Sequence, residues 1–407
     1  MPRFPFLLAP ALILGCLCAC SSTPADEALI EVSAGEHDRD ASLVTFDLPP
    51  GLADSFLHTL ERLDTGAQVP VQRMSGEPGR VAWLLGEPLA AGESRRYILR
   101  TAPPGGTASP GATAIDERET VEFFAAGKPV LVYNRRFVEP PAGADPIYGR
   151  SGFLHPLYSP GGRILTDDFP PDHYHQHGIF FAWVNTTFEG REVDFWNQAK
   201  KQGDVVHFTL KEVRSGVVFA QLTVVLQHVD RTTPEHSKPA IEETWTIRVY
   251  NVASPFLIDI VSEQRTASPS PLSINEYHYG GFAMRGAREW FGQPESGMIT
   301  SGGKGVEDGN HTRPAWVEMF GLVDGSPAGA VVFGSTDNFR YPQPVRLHGS
   351  KPYFCFAPMV EGPFSIEPGQ VYVSRYRIAT HDGAVDSEEN ERLWRDYSDP
   401  PSVRIVD

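Results

Sequence analysis

Glu243-Thr244-Trp245-Thr246-Ile247-Arg248-Val249-Tyr250 alternates without a break: Thr244, Thr246 and Arg248 fall on one side, Trp245, Ile247 and Val249 on the other. A period of two puts successive side chains on opposite faces of an extended chain, so this stretch reads as a strand with one face on a core. β-Branched and aromatic residues suit such a pleated, half-buried surface. The same kind of run recurs on either side. Val205 to Leu210, Val217 to Gln227 and Phe256 to Val261 flank it; Val44 to Phe46, Val130 to Tyr133, Ala330 to Gly334 and Val371 to Ile378 lie further out. The breakers between them, drawn from 38 glycines and 36 prolines, bound short strands. Only Glu388 to Tyr397 predicts a helix, and a short one. The expectation is an all-β chain: a large antiparallel β-sandwich preceded by a small β-sandwich domain.

Residues 29–101 form the small unit. The run Ala102-Pro103-Pro104-Gly105-Gly106 opens a linker expected over 102–119, and the large domain is expected over 120–407. Before them, Arg3 precedes a mostly apolar run to Leu17, followed by Leu17-Cys18-Ala19-Cys20-Ser21-Ser22. This has the pattern of a bacterial lipoprotein signal over 1–20, with Cys20 as the lipidated residue and 21–28 as a tether; Cys16 is a weaker alternative. The expected location is the cell envelope, on the outer membrane facing periplasm or exterior. The membrane is met through the lipid anchor only, since no later stretch reaches the roughly 20 apolar residues of a spanning helix.

Three of the four cysteines lie in that leader. Cys355, in Tyr353-Phe354-Cys355-Phe356, is expected to be packed, and no internal disulfide is available. The net charge of −16 argues against nucleic acid as a partner, because its binders present basic surfaces.

The chemistry concentrates in Asp172-His173-Tyr174-His175-Gln176-His177-Gly178. On a strand, His173, His175 and His177 would share one face. Imidazole titrates near neutrality and serves as acid, base or ligand. Asp168 and Asp172 lie beside them, although Asp167-Asp168 serves equally well to cap the Phe169-Pro170-Pro171 turn. Three neutral imidazoles also suit Zn²⁺ or Cu²⁺, with carboxylates completing the set. Nothing fixes those further ligands, so no cofactor is predicted and a divalent metal stays as an alternative. Trp183, Trp196 and Tyr279 stand beside glycines and polar residues, where rings can stack on a sugar or fill a core. Phe180 and Phe181 are expected in the core.

Several separated segments carry a resemblance: Pro129 to Asn134, Arg150-Ser151-Gly152-Phe153-Leu154-His155-Pro156-Leu157, Asp167 to Trp183, Asp194 to Asn197, Tyr279-Gly280-Gly281, Tyr341 to Arg346 and Glu361 to Phe364. Together they make the larger domain similar to a bacterial family designated DUF6807, some of whose members carry the label of a methane oxygenase. That label does not fit this chain, because such a subunit needs membrane-spanning helices. The family in turn resembles the galactose-mutarotase-like supersandwich, whose members bind and transform sugars. That resemblance implies histidine acids paired with a glutamate base, but it carries over no assigned catalytic residue. His155, His173, His175 and His177 are the candidate acids. Glu276, in Asn275-Glu276-Tyr277-His278-Tyr279, is the candidate base. Asp168, Asp172, Trp183, Trp196, Tyr279 and Arg346 are candidates to bind substrate, Arg346 by holding a hydroxyl or a carboxylate. The expected function is transformation of a carbohydrate or related polyhydroxy compound by hydrolysis, elimination or epimerisation. A metal-dependent enzyme and a non-catalytic glycan-binding lipoprotein are the alternatives.

Overall fold

The computed structural model describes residues 26–102, 109–233 and 237–406; Cys20 and the leader lie outside them. The strand that contains the opening stretch, Lys238–Tyr250, is the third of an eight-stranded antiparallel sheet. Its order runs Gly203–Arg214, Phe219–Asp230, Lys238–Tyr250, Phe256–Thr266, Tyr372–Asp382, Ser326–Gly334, Trp316–Val323, Gly297–Thr300. Ile247 lies opposite Leu222 on one neighbour and Ile260 on the other. All three are fully buried, so the alternation faces a core as expected.

The core is closed by a second eight-stranded sheet, ordered Val345–Leu347, Tyr353–Phe356, Gly281–Arg285, Ile179–Ala182, Phe153–Leu157, Lys128–Asn134, Thr120–Ala125, Ala112–Asp116. Side chains from both inner faces, such as Trp245, Leu222, Phe180 and Phe282, share one buried cluster, the hallmark of a β-sandwich. A four-stranded sheet (Arg191–Val193, Thr186–Phe188, Leu272–Ile274, Phe364–Ile366) packs into the same cluster. The expected helix is present as Ser387–Ser398, with Asp386 accepting from the backbone of Glu388 and Glu389.

The N-terminal unit pairs a five-stranded sheet with a three-stranded one over a core of its own, including Ile30, Val44, Leu60, Trp83 and Leu99. Two expected boundaries shift. Ala112–Asp116, inside the expected linker 102–119, adds a strand to the large domain by pairing with Thr120–Ala125. At the other end Ser402–Ile405, expected in the large domain, returns to the small one and pairs with Glu27–Ser33. That strand covers a sheet edge whose backbone groups need partners, and Arg404 reaches Glu31 across it. The first is a local hairpin across 117–119 whose short first strand reads as linker, while the second follows from long-range pairing, which leaves no local trace in composition.

Candidate functional site

The histidine segment is not a strand. Pro170 and Pro171 bring no backbone N–H, and the chain folds into two successive turns, with His173 N donating to Pro170 O (2.9 Å) and Gln176 N to His173 O (2.9 Å). The strand begins only at Ile179. The expected common face for His173, His175 and His177 is therefore absent. The turns still bring the first two together, with ring centroids 5.2 Å apart.

Arg285, at the end of Gly281–Arg285, clamps this segment to the sheet. Its guanidinium, 1% exposed, donates to both oxygens of Asp172 (3.0 and 2.9 Å) and to Gln176 Oε1 (2.9 Å). Gly178 closes the segment by donating to Asp167 O (2.8 Å) and accepting from Arg285 N (2.7 Å). Burial works against the Asp172 charge, but the Arg285 bonds outweigh it and hold the carboxyl down at about 2. Asp172 thus supports the loop and is not among the residues that line the adjacent cavity. It also lies 3.2 Å from His173 Nδ1, while Lys351 Nζ donates to that nitrogen at 2.7 Å.

His173 and His175 open onto a cavity of about 140 Å³ at the edge of the second sheet. Trp196, Tyr279 and Tyr353 supply its aromatic wall, with Trp196 edge-on to both tyrosines (centroids 5.5 and 5.9 Å). Asn197 donates to the Tyr279 hydroxyl at 3.0 Å and to Asp194 at 2.7 Å. Asp194 is fully buried and also receives Lys200 at 2.9 Å, so it orients Asn197 from behind. Arg346 enters from the edge strand Val345–Leu347, followed by His348, and His278 completes the rim. Burial first, then its histidine neighbours, pushes His175 down to about 3. Burial, then Lys351 and Arg346, pushes His348 down to about 4. His173 and His278 are lowered too, by burial before any charge. At neutral pH the cavity presents uncharged imidazoles.

The other expected residues lie elsewhere. His177 is fully buried among Phe153, Phe169 and Phe180, with Nδ1 on Asp168 at 2.6 Å and Nε2 facing Gln198 at 3.4 Å. Asp168 therefore serves His177 and does not line the cavity. His155 Nδ1 is bonded to Thr166 Oγ1 at 2.9 Å, away from it. Glu276 is exposed, on irregular chain past Leu272–Ile274, because the alternation read around it is not a strand. Trp183 is fully buried and donates to Gln264 at 2.6 Å, so it is a core residue. Cys355 is buried, and burial pushes its thiol up to about 11. Among the described residues no group of three or more His, Cys, Asp or Glu is arranged to hold a metal ion. His177 does not line the cavity that His173 and His175 share.

Residues 120–395 match the model of a family of unknown function, DUF6807. The chain belongs to the DUF6807 family. The comparison with curated proteins finds no match. Among solved structures, a GH36 α-galactosidase from Geobacillus stearothermophilus aligns at 10% identity and a TM-score of 0.28, over 69% of this chain and 41% of the galactosidase. A galactose mutarotase related enzyme from Lactobacillus acidophilus aligns at 8% identity and 0.29, over 66% of this chain and 97% of that one. A second GH36 α-galactosidase from Geobacillus stearothermophilus, in complex with raffinose, aligns at 10% identity and 0.31, over 67% and 41%. TM-scores this low transfer neither residues nor substrate, and the all-β architecture stands on the chain's own sheets.

Within this DUF6807 domain, the site draws on residues that sequence reasoning passed over: His348, His278, Asn197, Tyr353 and the supports Arg285 and Lys351. One signal was available. Arg346 and His348 stand two apart around a buried Leu347, the spacing of one strand face.

Proposed function

We propose that this chain is a cell-envelope lipoprotein, anchored through Cys20, that binds and transforms a carbohydrate or related polyhydroxy compound by imidazole acid–base chemistry. One observation carries the reading. His173, His175, His278 and His348 converge with the rings of Trp196, Tyr279 and Tyr353 on a single small cavity. Aromatic faces suit the apolar side of a sugar ring, while the Asn197 amide and the Tyr279 hydroxyl suit its edge. Neutral imidazoles can take a proton at one ring and return it at another. Among the residues lining the cavity there is no carboxylate, so they do not supply the two facing carboxyl groups of glycoside hydrolysis. Proton transfer to and from carbon or oxygen, as in elimination or epimerisation, suits the lining better. His175, which lines the cavity with its ring 5.2 Å from that of His173, is the first choice of proton-transfer residue.

The test is turnover of a panel of neutral and acidic glycans by the wild-type chain and by His175→Gln. We expect product from the wild type and a loss of about 10²- to 10⁴-fold in the variant, with its unfolding transition unchanged. Full activity in His175→Gln removes the assignment. Saturable binding without product on any glycan leaves a binding lipoprotein in place of an enzyme.

A further inference from the structure

We propose that the compound taken by this cavity is an acidic sugar, one whose ring bears a carboxylate, and that Arg346 reads that carboxylate. The inference deepens the functional reading above and rests on it. Arg346 lines the cavity and has no hydrogen-bond or ion-pair partner for its guanidinium among the described residues. Other arginines have partners: Arg285 is held by Asp172, Arg288 by Asp167, Arg313 by Glu361, and Arg340 by the carbonyls of Pro358 and Gly362, whereas Arg150 is fully buried behind the site. In a chain of net charge −16, an arginine left free beside a cavity stands out.

The surroundings keep that charge uncompensated. No carboxylate lines the cavity. Two acids behind the lining are already satisfied, Asp172 by Arg285 and Asp194 by Lys200 and Asn197. Lys351, bonded to His173, is itself paired with Asp172 at 3.6 Å. A neutral sugar would leave the guanidinium facing hydroxyls alone. A carboxylate matches its planar fork with two parallel charge-assisted bonds, and the aromatic wall limits access of water to them. One free guanidinium suits a monoanion better than a phosphate dianion.

Titration calorimetry on the full chain tests this with glucuronate and galacturonate, with glucose and galactose, and with a sulfated and a phosphorylated hexose. The acidic sugars should bind about tenfold or more tightly than their neutral counterparts, and lose that margin as salt rises. Arg346→Gln should weaken the acidic sugars about tenfold more than the neutral ones, and Arg346→Lys should restore part of that margin. Equal binding of acidic and neutral sugars overturns the proposal and leaves the carbohydrate reading standing. So does an equal loss for both classes in Arg346→Gln, which would mark the arginine as structural. Preference for the sulfate or phosphate ester overturns the carboxylate assignment. Binding of no sugar at all overturns the carbohydrate reading and this inference with it.

Discussion

His175 and His348 are uncharged at neutral pH, because burial disfavours their protonated forms. The folded values, about 3 and about 4, lie below the ordinary 6.5. Between 6.5 and those values the unfolded chain binds protons that the folded chain refuses, so stability rises with pH across that window and falls on acidification. The unfolding temperature should therefore drop steadily from pH 7 towards pH 4, and less steeply in His175→Gln. A wild-type midpoint that stays flat over that span would contradict the burial of these rings. At this scale the sequence was partly legible. His173, His175, Trp196, Tyr279 and Arg346 were recognisable by residue type and neighbours, and all line the cavity. His177 has the same neighbours in sequence, yet its partner Asp168 folds back beneath it, a pairing that no spacing announces. Glu276 looked equally apt and lies exposed.

The element that matters most is the loop from Asp167 to Gly178. Gly178 has φ of +48°, and a Cβ there would stand 2.1 Å from the carbonyl oxygen of Leu154. The backbone must therefore pass closer to the neighbouring strand than any side chain allows. Gly178→Ala should cost about 2–4 kcal/mol in chemical denaturation, through left-handed strain and the clash together. It should also displace the histidine turns and lower turnover. A variant as stable and active as wild type would mean that this close approach is not needed. The strands were legible because their period is local: Thr244 through Val249 states its own two faces. The loop was not. Alternating histidines mimic a pleat, and the decisive signal was the Pro170-Pro171 pair just before them, which favours turns over ladder hydrogen bonds.

At the scale of the molecule, strands far apart in sequence assemble the site. Arg346 and Tyr353 come from one sheet edge, the histidine turns lead into Ile179–Ala182 in the same sheet, and Trp196 and Asn197 arrive from the connection beyond the four-stranded sheet. The two-layer, all-β architecture could be read from patterning. The order of strands could not, and so His348 went unnoticed about 170 residues from His175. The anchor is a separate claim at this scale. Cys20→Ala should move the protein from the membrane fraction to the soluble one, whereas Cys16→Ala should not; retention of Cys20→Ala on membranes would refute the anchor. The central claim, that the cavity is the sugar site, is tested most directly by nuclear magnetic resonance of histidine-labelled protein titrated with the acidic and neutral sugars. The account predicts saturable shifts at His173, His175, His278 and His348, with His155 and His177 unmoved. Shifts confined to His155 and His177, or none at any of the six with any sugar, would contradict it.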